Sequence, residues 1–434
     1  MKRLLTPLFT ILNTVLINAQ VLNIEEAIQI ALSNNYGIRI AQKEKEAIKT
    51  DIYPGAVGLF PTVDAGGSGS YSYSSTNQEF NGGLFPSVEG IEASQNSRLG
   101  KISASYLIFN GGSRIRSYSR LKASGDLTDV ETKITIESAI IQVVNAYYEV
   151  VRVRNQIELL KYFMNLSKDR LERIKINNEY GNSTKIDFLN AQVDFNTDSS
   201  NYIATVLNLR KSKNELNYLL GRKIAFEFEI NGDVKLPAVR EASEYIEKAK
   251  ENSTLVLLAN INLNIAELDK KISTSNFMPV ISSNLDYGYS GSASDVGVFK
   301  SASSIGYTGS VSLKWNLFDG LKKQRALEKA KINIDLNRSK QEQTLLNIEK
   351  EVQNYYDALS QNIILLNLEK QNKIVAGQNL ERSKYLLNNG MITSLEFRQA
   401  QINLFKIENR INNLNYAITV FNYQLLRMTN ELVK

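Results

Sequence analysis

The sequence predicts a mainly α-helical chain with a β part, in which one unit of helix, strand, strand, long helix and shorter helix occurs twice. Three observations predict it. Gly181–Gln192 (GNSTKIDFLNAQ) and Gly390–Gln401 (GMITSLEFRQAQ) share one frame: glycine, five residues, an acid, Phe, two residues, Ala-Gln. The prolines are Pro7, Pro54, Pro61, Pro86, Pro237 and Pro279. An interior proline costs a helix about 3 kcal/mol, so the stretches beyond Pro86 and Pro279 are free to form very long helices. Four Ser/Gly/Tyr-rich stretches alternate at period 2, as strands do.

Taken in order, residues 1–19 read as a signal peptide. Lys2 and Arg3 precede an apolar run from Leu4 to Ile17, and Ile17-Asn18-Ala19 is a cleavage signal. The run is too short and interrupted to span a membrane as a helix. Repeat 1 is expected over 21–221. Its first helix, 24–58, has Ala27, Ile28, Ala31 and Leu32 on one face and ends at the Pro54, Gly55, Gly58, Pro61 cluster. Strands 61–75 and 98–109 follow, separated by a glycine-rich polar segment. The first sets Val63, Ala65, Gly67, Gly69, Tyr71 and Tyr73 against Thr62, Asp64, Ser68, Ser70 and Ser72, and the second closes at Phe109-Asn110-Gly111-Gly112. A long helix 113–180, with heptad-like Ile134, Ile141, Val144, Tyr148 and Val151, turns at Gly181 into helix 184–220, which Gly221 caps.

Residues 222–239 read as a link with a short strand from Ala225 to Ile230, and repeat 2 as 240–434. It holds helix 240–276, strands 279–290 and 303–318, long helix 320–389 and helix 393–431. Asn354-Tyr355-Tyr356 echoes Ala146-Tyr147-Tyr148, and Phe318-Asp319-Gly320 echoes Phe109-Asn110-Gly111. Along the last helix Phe397, Ala400, Leu404, Ile407, Ile411, Leu414, Ile418, Phe421, Leu425 and Met428 alternate at three and four residues, a coiled-coil seam.

The chain has no cysteine and no histidine, which removes disulfides, thiolate nucleophiles, imidazole bases and zinc-finger ligands. No P-loop or nucleotide fingerprint is present, so the expectation is not an enzyme, with no cofactor and no metal. The net charge of +6 falls to +4 without Lys2 and Arg3. Bases are interleaved with acids along the helices rather than gathered in blocks, so no nucleic-acid partner is expected.

Strands with one apolar and one polar face, in an exported chain without a transmembrane helix, match an outer-membrane barrel. A soluble antiparallel sheet with one buried face gives the same pattern. Four strands cannot close a barrel, and hydrocarbon does not tolerate an open edge. A dimer of eight strands or a trimer of twelve would close it. About twelve strands leave a lumen, so passage favours the trimer.

The duplicated layout, the strand ends FNGG and FDG, the paired tyrosines and the two turns resemble the TolC-type outer-membrane efflux protein family, over about Ile24 to Leu432. The resemblance implies a homotrimer whose 12-stranded outer-membrane β-barrel is continued by a periplasmic α-helical coiled-coil tunnel. It implies a passive exit duct of a Gram-negative outer membrane, serving efflux or type I secretion. Its partners would be a periplasmic adaptor (membrane fusion) protein, a proton-driven or ABC-type inner-membrane transporter, and outer-membrane lipid.

In that family acidic rings just past the second turn narrow the lumen. Glu396 takes the first position and Gln399 the second, so one ring is expected where the pattern has two. Asp187 is the counterpart in the first turn. Each acid also suits the first turn of a helix, where it complements the dipole. The best-known member of that family latches its tip with bonds involving an Arg two residues after the second glycine and a Tyr three residues before it. Ile392 and Leu387 stand there, so the closed tip must be held otherwise, by apolar contacts. Gly181, Thr184, Gly390 and Ser394 are the candidate adaptor-contact tips. Tyr71, Tyr73, Tyr287, Tyr289 and Trp315 are candidate membrane-interface aromatics. The competing reading is a periplasmic or surface coiled-coil interaction protein whose short sheets cap its rods.

Overall fold

The computed structural model describes residues 21–79, 87–232, 236–295 and 299–432. The signal-peptide segment 1–19 lies outside them. In chain order the elements are β1 (Val21–Leu22), α1 (Ile24–Asn34), α2 (Tyr36–Thr50), a 3-10 turn (Pro54–Val57), β2 (Thr62–Gln78), β3 (Val88–Phe109), α3 (Ser113–Glu179) and α4 (Lys185–Leu219). The second half continues with β4 (Glu229–Ile230), α5 (Ala242–Asn252), α6 (Thr254–Ser275), β5 (Val280–Ser294), β6 (Ser301–Lys314), α7 (Lys322–Asn388) and α8 (Ser394–Met428). Two compact units result. The helical unit comprises the described residues of Met1–Gln42, Thr132–Thr254 and Leu346–Lys434; the sheet unit comprises Lys43–Glu131 and Leu255–Leu345.

In the helical unit the core gathers Ala27 and Ala31 of α1, Ile140, Val143, Val144, Tyr147 and Val150 of α3, and Leu216 of α4, all buried. The two-residue strands β1 and β4 pair in parallel beside it, Val21 with Glu229 and Leu22 with Ile230. The Tyr147 hydroxyl donates to the Leu22 carbonyl at 3.0 Å. Gly221, at φ 64°, ends the α4 hairpin: its N–H reaches the Tyr218 carbonyl and the Arg222 N–H the Asn217 carbonyl. A Cβ there would lie 2.4 Å from the Asn34 oxygen, so only glycine fits.

Several boundaries differ from the sequence reading. The helix expected over 24–58 breaks at Asn35, which is extended (φ −60°, ψ 126°). Its N–H closes α1 onto Ala31, its Oδ1 accepts from the Ile38 N–H at 3.1 Å, and its Nδ2 donates to the Leu219 carbonyl at 2.7 Å. One side chain thus ends one helix, starts the next and ties both to α4. Helix 240–276 breaks in the same way at Ser253 (φ −58°, ψ 134°). Of the strand expected over 225–230 only 229–230 pairs, because Asn217 Nδ2 takes the Ile224 and Phe226 carbonyls at 2.9 and 2.8 Å.

In the sheet unit four antiparallel strands run in the order β2-β3-β5-β6. β2 and β3 extend to Gln78 and back to Val88, past the expected 75 and 98, and β5 to Ser294 rather than 290. There the ladder continues although serines and other polar or small residues predominate in the sequence of these strand ends, so the period-2 signal fades before the pairing does. β6 spans 301–314 rather than 303–318. Its last residue pairs with Val280, the residue after Pro279, whose missing N–H ends the ladder. Gly111, at φ 66°, turns the chain from β3 into α3. Arg114, in the next turn, donates to the Gly58 and Leu107 carbonyls.

Candidate functional site

The registers place side chains on two faces. On one, Val63, Ala104 and Leu285 form a row, Ala65, Ile102, Tyr287 and Tyr307 the next, and Gly67, Gly100, Tyr289 and Ile305 a third. On the other lie Asp64, Ser103, Asp286 and Thr308, with Lys101 a row away and 3.4 Å from Asp286. Serine pairs lace this polar face: Ser70–Ser97 at 2.6 Å, Ser282–Ser312 at 2.7 Å and Ser290–Ser304 at 2.9 Å. The apolar face runs from Ile281 and Leu313 to Tyr289 and Ile305. Eight residues cover about 27 Å along a strand, the scale of a barrel's lipid-facing band, about 25 Å. Apart from half-buried Ile281, its large side chains are exposed.

The five predicted aromatics separate into three settings. Tyr287 and Tyr289 sit inside the apolar band, and Tyr287 packs on Tyr307 with ring centroids 5.9 Å apart. Tyr71 and Tyr73 lie beyond it, where Arg98, Asn96, Ser94 and Glu92 make the same face polar, and the Tyr73 hydroxyl donates to Glu92. Trp315 falls one residue past β6, and its Nε1 donates to the Phe277 carbonyl at 3.1 Å.

The two hairpin turns lie in the helical unit and repeat each other. Gly181 and Gly390 have φ of 76° and 70°, a left-handed conformation glycine alone adopts without strain. Thr184 caps α4 and Thr393 caps α8. Asp187 and Glu396 complete capping boxes by accepting from the Thr184 and Thr393 N–H at 3.2 and 2.7 Å. The counterpart of Thr184 is therefore Thr393. Ser394 is the first residue of α8, and its carbonyl accepts from Arg170 Nη1 at 3.3 Å. The Thr393 backbone N–H, and then its hydroxyl, hold the Glu396 carboxyl below the usual carboxylate range. Gln399, one turn on, is exposed and donates to Asn403 at 2.9 Å.

What ties the hairpins together was not read from the sequence. Arg398 of α8 donates to both Asp198 oxygens of α4 at 2.7 and 2.9 Å, and to Ser167 Oγ of α3 at 3.1 Å. Arg170 of α3, 4 % exposed, pairs with Asp194 of α4. Burial opposes the Arg398 charge, but Asp198 and Asp194 outweigh it and raise its pKa. The two arginines bridge three helices. Beside them Phe163, Leu380, Phe397, Ala400 and Leu404 form an apolar cluster that Leu387 and Ile392 pack against. The residues at the missing latch positions thus belong to a hydrophobic contact, and a buried ionic network accompanies it. The Arg/Asp spacing on α3, α4 and α8 was the available signal, but interleaved charges on long helices look like a solvated face. Among the described residues no cluster of acids is placed to hold a metal ion, and no helix is long and apolar enough to cross a membrane.

The sequence model of the family described as "Outer membrane efflux protein" matches residues 27–222 and 245–431. The chain belongs to the outer membrane efflux protein family. Relatives include outer membrane protein TolC of Vibrio cholerae, 24% identical over 315 residues, covering 70% of each chain. Cation efflux system protein CusC of Escherichia coli is 22% identical over 415 residues, 91% of this chain and 83% of that one. Among solved structures, the Campylobacter jejuni CmeC outer membrane channel superposes with a TM-score of 0.79 at 15% identity, covering 95% of this chain and 86% of that one. As an outer membrane efflux protein the chain takes its place in the outer membrane, and its fold is that of the family's channels.

Proposed function

We propose that three copies join edge to edge into a 12-stranded barrel and form a passive exit duct whose periplasmic end opens and closes at the hairpin tips. The observation that carries this is the open sheet. β2 and β6 are its edges, one face is apolar and exposed over its central rows, and the other is mainly polar, with Leu99 and Leu107 among its serines. Unpaired edge groups cost several kcal/mol each in hydrocarbon, so the edges require strands from other copies. A second support comes from the helical unit. Ile186, Leu189, Val193, Ile203 and Leu207 on α4, and Ile364, Leu368 and Val375 on α7, are exposed at heptad-compatible spacing. Such seams suit burial between neighbouring copies.

In this reading the stripe of α8 that begins with Glu396 and Gln399 faces the lumen, and Asp187 braces the first hairpin through Thr184. The turns at Gly181 and Gly390, with exposed Tyr180, Met391 and Leu395, meet a periplasmic adaptor coupled to an inner-membrane transporter. Tyr71, Tyr73, Tyr287, Tyr289 and Trp315 contact lipid and its interface.

Two measurements test it: the mass of the detergent-extracted protein, and its ion conductance in planar bilayers. A trimer released only by detergent and forming conducting pores is expected. A water-soluble, non-conducting rod would overturn the reading in favour of a coiled-coil interaction protein.

A further inference from the structure

From Glu396 to Arg410 the exposed residues of α8 are Glu396, Gln399, Asn403, Lys406 and Arg410. They recur at three and four residues and so share one stripe. Phe397, Ala400 and Leu404 are buried on the other side. α7 packs from one flank, where Lys373 meets Glu408 at 3.1 Å, and α3 and α4 from another, through Arg398. The stripe is the side that neither flank covers.

Its charges are ordered. At the tip the Glu396 carboxylate is held by Thr393 against the positive end of the α8 dipole, which offsets part of its field. Gln399 and Asn403 then form a neutral amide step. Lys406 follows, ten residues or about 15 Å up the helix. The nearby acids are matched by other bases: Glu408 by Lys373, and Glu369 by Arg410 at 2.7 Å. Among the described residues no ion pair involves Lys406. It is the unmatched cation of the stripe.

We propose that Lys406 is a specificity-determining ring of the duct, favouring anionic and neutral cargo over cations. The proposal rests on the trimeric reading above, in which three copies of the stripe converge on one axis. Walls of low dielectric focus the field of such a ring, so an unpaired cation there acts more strongly than the same charge on an open surface. The single acidic ring at the mouth, tied back into its cap, does not balance it.

The test uses the full chain in planar bilayers under a KCl gradient, reading the potassium-to-chloride permeability ratio from the reversal potential. The ratio is expected to rise from wild type through Lys406→Gln to Lys406→Glu by about tenfold in all, equivalent to ~1.4 kcal/mol. The difference shrinks in 1 M salt, where the screening length falls to about 3 Å. Glu396→Gln is expected to lower the ratio by a smaller factor. Lys406→Gln keeps a long polar side chain and is expected alone to give about a threefold rise, so the test does not depend on the charge-reversed variant folding. Conducting variants whose ratio stays at the wild-type value would overturn the ring while leaving the duct intact. A wild-type protein that does not conduct would overturn the duct and the ring with it.

Discussion

Replacing Arg398 by Met should loosen the hairpin tip far more than its position on a solvent-rich coiled coil suggests. Arg398 donates at 2.7 and 2.9 Å to the two Asp198 oxygens, and both side chains are only 13% exposed. Without it, Asp198 keeps the Ser167 hydroxyl as its partner there. Removing one member of a buried ion pair costs about 3–5 kcal/mol. The lower end applies, because the serine and some water remain to solvate the carboxylate. A loss of ~3 kcal/mol in local opening free energy corresponds to amide exchange about 150-fold faster. Hydrogen exchange followed by mass spectrometry on peptides spanning 190–200 and 394–404 reads it. The double variant Arg398→Met, Asp198→Leu removes the stranded charge and should recover about half of the loss, a coupling of the kind contacting residues show. Exchange less than about threefold faster in Arg398→Met, or a double variant with no recovery, would refute the idea that the network holds the tip.

Gly111→Ala should destabilise the sheet unit by at least ~2 kcal/mol, since φ is 66° and the added Cβ would lie 2.7 Å from Met278 Cβ and from the Ser275 oxygen; the thermal midpoint of the extracted protein measures it. Glu396 has a depressed native pKa, so its stabilising contribution is present above the unfolded carboxylate pKa and disappears as pH falls through the native value. The thermal midpoint of Glu396→Gln should therefore vary less with acidification than that of wild type. Glu137 behaves oppositely: burial raises its pKa, though Thr254 donates to it at 2.6 Å. Its contribution is full below the unfolded pKa and is lost as pH rises through the native one. Glu137→Gln should then flatten the fall in midpoint between acidic and neutral pH, and a slope equal to wild type would contradict this.

The fold was largely legible because its elements are long and repeat. A 67-residue helix without proline or capping interruption leaves many turns of pattern, and α3 and α7 end within two residues of their expected limits. The sheet faces were legible for the same reason, since Tyr287 and Tyr289 alternate with Asp286 and Ser290. What escaped was local or distributed over distant segments. Asn35 and Ser253 break helices through backbone geometry, and a single capping residue inside an apolar period is a weak signal. The tip network needs Ser167, Arg170, Asp194, Asp198 and Arg398, contributed by three helices, and no periodicity brings those together. Gln192 and Gln401 share one motif letter, yet Gln401 is buried and Gln192 exposed. The repeat predicts their positions and not their surroundings.

The two free strand edges of the sheet bear on how the molecule comes into being. A lone protomer has no arrangement in which β2 and β6 enter hydrocarbon with their backbone groups satisfied, so insertion cannot precede assembly. In the proposed trimer, membrane entry and the meeting of three chains would be one kinetic event, its rate rising steeply with protomer concentration rather than in proportion to it. Until that event the apolar face and open edges are an aggregation hazard. In that reading overexpression is expected to yield aggregates in place of pores, which sedimentation of the overexpressed protein checks.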